Sequence, residues 1–368
     1  MTGVCEVWKF IMGSKYALFV CISLMISATS AVDVRNIQEL AAAKKGKDKF
    51  ISIKDLHVPA GVTLDLENLQ PDTVLEFAGR VTFGFKEWTG PLVKIAGKKV
   101  TIKGKRGHLI DGEGARWWDG KGGAGGKVKP KFMRLKLEDS VVQDLHVKNA
   151  PVQMFTANNC KNLVITNVNL DNEDGHKNRI GRNTDGFGVG DSKNVTVQNS
   201  RVYNQDDCFC CGSGVDIKFI NNICIGGNGI SIGSMGSNRV VERLTVRKCK
   251  VISSFNGIRI KARKGEKSSV SDVTFDDIEI KDIQHNGIII HGNYPTWHPT
   301  DEPTAQCPIK NLVVNNVRGT VQKGGSNVWI WLANGSASNW KWNSNVTGGG
   351  KKLACKGIPA GLKVPCGK

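Results

Sequence analysis

The sequence predicts an all-β chain wound as a β-helix, a solenoid of stacked parallel strands, on three observations. First, from about Val100 onward a short β-branched segment keeps returning, bounded by polar, often asparagine-containing turns: Asn162–Asn167 (NLVITN), Asn194–Asn199 (NVTVQN), Lys218–Asn222 (KFINN), Arg243–Lys248 (RLTVRK), Asp272–Asp277 (DVTFDD) and Asn311–Asn316 (NLVVNN). Second, another series runs in step with it: Asp185–Gly190 (DGFGVG), Asp207–Gly212 (DCFCCG), Asn228–Gly233 (NGISIG), Asn256–Lys261 (NGIRIK) and Asn286–His291 (NGIIIH). Third, no convincing helix separates these segments as a βαβ fold would require, and they recur irregularly at roughly 20–40 residues, the behaviour of a repeat architecture. A chain of 368 residues is ordinarily long enough for two domains, but a solenoid absorbs that length as one body.

The elements follow in chain order. Residues Met12 to Ala31 carry Lys15, then an apolar run too short to span a bilayer, then small residues with Thr29 and Ala31 placed for cleavage. That is the pattern of a secretory leader, so residues 1–31 are expected to be removed, leaving 32–368 as a single extracellular domain with no later membrane span. In the second series of strands, the third position holds Phe187, Phe209, Ile230, Ile258 and Ile288, and the fifth Val189, Cys211, Ile232, Ile260 and Ile290. Side chains of a strand alternate between faces, so these two columns form the core, and rungs about 4.8 Å apart make each column's members neighbours. The fourth and sixth columns, with Arg259 and Lys261, are then expected to face solvent. The first column, Asp185, Asp207, Asn228, Asn256 and Asn286, would point inward by strict alternation. It lies at a corner, however, where the glycine after four of its five members suits a bend that lets the side chains leave the core.

Export permits disulfides. Of eleven cysteines, Cys5 and Cys21 fall in the leader; the nine left are an odd number, so at least one thiol is free or pairs between chains. Cys210 and Cys211 read most simply as core filler. Sequons at Asn194, Asn334 and Asn345 fit a glycosylated protein. The net charge of +18 would concentrate a polyanion, and outside the cell the natural ones are acidic polysaccharides; on charge alone a solvated basic surface is the simpler explanation. Nucleic acid is not expected, because the chain is exported and has no basic motif interleaved with aromatics.

Asp185 and Asp207 on successive rungs, with Asp206 adjacent, form an acidic cluster, and Arg259 and Lys261 come two rungs later. Glycoside hydrolysis needs one carboxylic acid to protonate the leaving oxygen and a carboxylate to activate water, and an anionic sugar needs an arginine or lysine to bind it. The ordered set Asn183-Thr184-Asp185, Gln205-Asp206-Asp207-Cys208, Gly226-Gly227-Asn228-Gly229, Arg259-Ile260-Lys261 and Tyr294 resembles glycoside hydrolase family 28, the polygalacturonases, most closely the fungal endo-acting type. Gly114–Phe132 (GARWWDGKGGAGGKVKPKF) resembles the block ahead of the catalytic region in that family.

The resemblance implies a right-handed parallel β-helix of the pectin-lyase-like kind and inverting hydrolysis of α-1,4-galacturonosidic bonds in pectin or polygalacturonate. It implies that Asp206 is the general acid and that Asp185 and Asp207 hold and deprotonate water. Arg259 and Lys261 would grip the galacturonate carboxylate, with Tyr294 and Asn183 lining the sugar site. Disulfides Cys208–Cys224 and Cys355–Cys366 are implied too. Neither metal nor cofactor is expected, nor an oligomer; the calcium-dependent chemistry of a pectate lyase, which shares the β-helix, should fail here. Trp117 and Trp118 are expected to cover core rather than to stack on sugar.

The sequence departs from the family pattern at three places. Asn228 stands where the family has histidine, Gly188 where it has aspartate, and Gly212 where it has asparagine. Asparagine donates a hydrogen bond but cannot carry charge or exchange a proton, so hydrolysis is expected to be impaired, by some part of the 10²–10⁴-fold typical of acid–base assistance. The alternative is an inactive relative that binds acidic plant-wall oligosaccharide. Asn228 also continues the Asn256 and Asn286 column, where a ladder of amides is comfortable.

Overall fold

The computed structural model describes residues 31–296 and 300–367; the expected leader, apart from Ala31, lies outside them. Among the described residues every pairing between strands is parallel and joins one rung to the next. The strands form three stacks, of which the one bearing the site runs through Phe155–Asn158, Phe187–Gly190, Phe209–Cys211, Ile230–Met235, Asn256–Arg263, Asn286–Tyr294 and Ser326–Trp331. This is the solenoid that the repeats predict.

The corners explain the asparagines. Both ends of the repeated segments turn through left-handed backbone: Asn162 and Asn167, Asn194 and Asn199, Arg243 and Lys248, Asp272 and Asp277, Asn311 and Asn316 all have φ between 50° and 56°. Asn and Asp tolerate that region because a short polar side chain can bond locally. Here they also bond along the solenoid axis: the Asn194 amide donates to Asn162 Oδ1 at 2.9 Å, and that of Asn162 to Asp139 Oδ1 at 2.7 Å.

The core columns are paired as the sequence aligns them, Phe187 with Phe209, then Ile230, Ile258 and Ile288, and Val189 with Cys211, then Ile232, Ile260 and Ile290. All ten are buried. The corner expectation fails at Asn256 and Asn286, which lie within strands and are buried, the Asn286 amide donating to Asn256 Oδ1 at 2.9 Å and Ser326 Oγ to Asn286 Oδ1 at 2.7 Å. Each polar group found a partner on the next rung, so alternation was not overruled.

One element had no counterpart in the strand pattern. The helix Ile37–Gly46 covers the N-terminal end of the core with Leu40 and Ala43. It is capped by Asn36, whose side chain accepts from the Glu39 N–H at 2.8 Å. At the other end, Trp342, Ile358, Leu362 and Val364 pack against the core, alongside the Cys355–Cys366 disulfide.

Candidate active site

The Gln205-Asp206-Asp207 turn is held from beneath. Asn204 is fully buried, and its amide donates to the carbonyls of Thr184, Asp206 and Asp207 at 2.9–3.0 Å. Gln205 ties the same turn to Asn172 and accepts from Thr184 Oγ1 at 2.8 Å. Immediately after it, Cys208 is bonded to Cys224, and Cys355 to Cys366, the two disulfides that the resemblance implies. With the backbone fixed at both ends, Asp206 and Asp207 have little freedom to move apart.

The three carboxyl groups sit in different surroundings. Asp207 is buried; its Oδ2 accepts from Lys261 Nζ at 2.6 Å, and its Oδ1 from Ser231 Oγ at 2.7 Å and from Arg259 at 3.3 Å. Burial pushes its pKa up, but the charges of Lys261 and Arg259 outweigh burial and the net shift is downward. Among the described residues Asp185 has no such cation contact. Burial, followed by repulsion from Asp206 and Asp207, raises it well above the usual carboxylate range. Asp206 is also raised, first by burial and then by the charge of Asp207. The cluster therefore separates into one ionised carboxylate and two that favour their protons, as neighbouring acids do when their environments differ.

Asp206 accepts three N–H donors, from Asn183 Nδ2 at 3.0 Å, Asn228 Nδ2 at 3.0 Å and the Asp207 backbone at 2.7 Å. Asn228 thus does not join the amide ladder of Asn256 and Asn286; its side chain turns to the acid instead. Of the two readings the sequence offers, this is the place beside the acids and not the ladder. The left-handed glycines on either side, Gly227 at φ 59° and Gly229 at φ 78°, supply the turn.

Arg259 and Lys261 do occupy the outward columns, but they do not face solvent. They are 3 % and 6 % exposed, because Asp207 and the neighbouring rungs cover them. Burial and Asp207 act in opposite senses on Lys261, and its pKa is raised. Tyr294 lies half-exposed with its ring centroid 5.7 Å from Lys261 Nζ. All eight residues singled out from the sequence therefore gather at one cluster or on its rim. Trp117 and Trp118 are buried with their indole N–H groups donating to the carbonyls of Lys86 and Ala150 at 3.0 and 3.2 Å, so they cover core as expected.

Two neighbours were not anticipated. Cys210 is not core filler: it points outward, its thiol 3.8 Å from Asp185 Oδ2, while Cys211 alone takes the inward place. Ser231 holds Asp207. Both stand in the fourth column beside Arg259, and taking that whole column as the active face would have found them. His291, one rung beyond Lys261, is buried, and burial together with Arg259 lowers its pKa to about 3. It is neutral and does not supply the charge that Asn228 lacks. Asp185, Asp207 and Cys210 have potential ligand atoms within 4.8 Å of one another, yet Lys261 and Arg259 already neutralise Asp207 there, which disfavours an added cation.

Gly188 and Gly212 leave the floor beside Asp185 bare. A Cβ on Gly212 would meet nothing within 4 Å, and one on Gly188 only ordinary contacts at 3.5 and 3.6 Å. Packing does not demand glycine at either position, and the space forms part of an open depression of about 280 Å³.

The family model of the glycosyl hydrolases family 28 matches residues 49–366. The polygalacturonase of Penicillium griseoroseum is 44% identical over 325 residues, 87% of this chain and 86% of that protein. Endopolygalacturonase 1 of Colletotrichum lindemuthianum is 43% identical over 334 residues, 89% and 91% of the two chains. Among solved structures, endopolygalacturonase I from Stereum purpureum, complexed with two galacturonates, superposes with a TM-score of 0.79 at 31% identity, covering 89% of this chain and 96% of that one. With the solenoid, the carboxylate cluster and the disulfides already in place, this chain belongs to glycoside hydrolase family 28.

Proposed function

We propose that the chain hydrolyses α-1,4-galacturonosidic bonds of pectin or polygalacturonate with inversion, as a secreted monomeric domain spanning residues 32–368, and that Asn228 slows it. The observation carrying this reading is the opposite displacement of two adjacent acids. Asp206, raised, keeps the proton that the leaving oxygen must receive; Asp207, lowered by Lys261 and Arg259, is the carboxylate that takes a proton from water. Asp185 shares the water with Asp207 and holds it by hydrogen bonding. An ammonium has three donors, of which Asp207 takes one, so Lys261 keeps capacity for a sugar carboxylate. Tyr294 offers a ring face at the same place.

The effect of Asn228 follows from its bond. Its N–H donates to Asp206 Oδ1 and favours the ionised form of a group that must be protonated to act. Turning the amide by half a revolution presents its oxygen to a protonated Asp206, so the residue can support either state, but without charge. A second reading, a binder of acidic oligosaccharide that no longer cleaves, is favoured by this same contact.

Reducing-end release from demethylated polygalacturonate separates them, using the mature protein beside Asn228→His and Asp206→Asn. Turnover that Asp206→Asn abolishes, and that Asn228→His raises by about 10-fold or more, supports the hydrolase. No turnover at high enzyme concentration, with saturable binding retained, selects the binder.

A further inference from the structure

Arg134 lies in the same outward column as Arg259. The pairing runs Arg134 to Thr156, Gly188, Cys210, Ser231 and then Arg259. Lys136, two residues on, stands beside Arg134 as Lys261 stands beside Arg259. Each pair flanks one buried aliphatic residue, Leu135 or Ile260. The face thus carries the same arginine and lysine arrangement twice, five rungs apart, or about 24 Å at the spacing of parallel strands.

Between the pairs the floor is low. The intervening residues of the column are Thr156, Gly188, Cys210 and Ser231, and the adjacent column adds Asn158, Gly190, Gly212 and Gly233. The open depression beside Asp185 lies on this path. Exposed lysines and arginines are ordinarily just solvated, and on the preceding rung Lys94 is tied to Glu67 at 2.6 Å. Arg134 and Lys136 are both exposed, and among the described residues neither has an acidic partner at ion-pair distance.

We infer that Arg134 and Lys136 form a second carboxylate clasp, which holds a galacturonate unit of the same polymer about five rungs from Arg259 and Lys261. An extended galacturonan repeats at a distance close to the rung spacing, so one chain can lie along the low floor with a carboxylate at each clasp. Exposed cations in a solvated cleft contribute little each and are screened by salt. The distal clasp therefore selects chain length without being required for the chemistry. This inference rests on the cluster being a galacturonan site.

The test is calorimetric titration of the full mature chain carrying Asp206→Asn, so that the oligomers are not cleaved, with unesterified trigalacturonate and heptagalacturonate at low and high salt, beside the same chain with Arg134→Gln and Lys136→Gln added. Both residues are exposed, so folding should be unaffected; a circular-dichroism melt checks this. The parent should bind the heptamer about 10-fold more tightly than the trimer at low salt. The variant should lose most of that gain and keep trimer affinity within about twofold. An unchanged length dependence in the variant overturns the inference, and so does equal weakening for both oligomers, since that marks a general field. If neither oligomer binds the parent, the galacturonan reading falls and the clasp with it.

Discussion

Replacing Lys261 by methionine tests the electrostatics of the cluster directly. The substitution keeps an unbranched side chain close to the lysine stem in length and removes the ammonium 2.6 Å from the buried Asp207 carboxylate. Removing one partner of a buried ion pair costs about 3–5 kcal/mol. The lower end applies, because Arg259 at 3.3 Å and Ser231 at 2.7 Å still hold the other oxygen. A chain of this size has an unfolding entropy of about 0.7 kcal/mol/K, so about 3 kcal/mol lowers the melting midpoint by about 4 °C at pH 7. The pH dependence gives the sharper check. In the parent, the folded pKa of Asp207 is depressed, so its stabilisation is present above the unfolded value of about 3.9 and is lost as pH falls through the folded pKa. In the variant, burial is less opposed, the pKa rises, and the carboxyl accepts its proton at a higher pH than in the parent. The deficit relative to the parent should therefore be largest at pH 7 and shrink toward pH 4. Circular-dichroism melts at the two pH values measure it. An unchanged midpoint at pH 7, or a deficit that ignores pH, would refute the argument.

Two further outcomes follow from the same site. Asp185 has a raised folded pKa, so its ionisation costs stability above its unfolded pKa; Asp185→Asn should raise the melting midpoint at pH 7, leave it unchanged at pH 3, and abolish reducing-end release. The paired change Cys208→Ala and Cys224→Ala opens a loop of 16 residues and should cost about 3 kcal/mol in urea unfolding. Because Cys208 directly follows Asp207, kcat should fall more than KM rises.

Much of the fold was legible because a solenoid writes its register into the chain. The inward columns from Phe187 to Ile288 and from Val189 to Ile290 recur at the same places in each segment, and the backbone pairs them in that order. The asparagine turns were visible in the sequence, but the reason for them, left-handed corners bonded along the axis, lies in contacts between rungs about 20 or more residues apart. The candidate site was legible at its carboxylates and cations, since those are chemical types with few uses in such an order. What the sequence left undetermined was the burial of outward residues. Whether Arg259 meets water or a carboxylate depends on which neighbours rise over it from other rungs, and period-two alternation carries no such information. Whether Asn228 joins a ladder or turns to the acid was open for the same reason: a column gives the rung, not the direction a side chain takes at a corner. The capping helix Ile37–Gly46 has only two buried residues, too few to stand out as a periodic pattern.

The parallel register has a consequence for how such a cleft could be remodelled. Positions along the face are fixed by backbone pairing, so distances between them change only in whole steps of about 4.8 Å. Insertion of one complete rung between Thr156 and Gly188 would leave Asp185, Asp206 and Asp207 undisturbed while moving Arg134 and Lys136 one step away. The solenoid is in that sense a ruler graduated in units close to those of the polymer lying on it. Length preference could then evolve by counting turns, without any alteration of the carboxylate cluster.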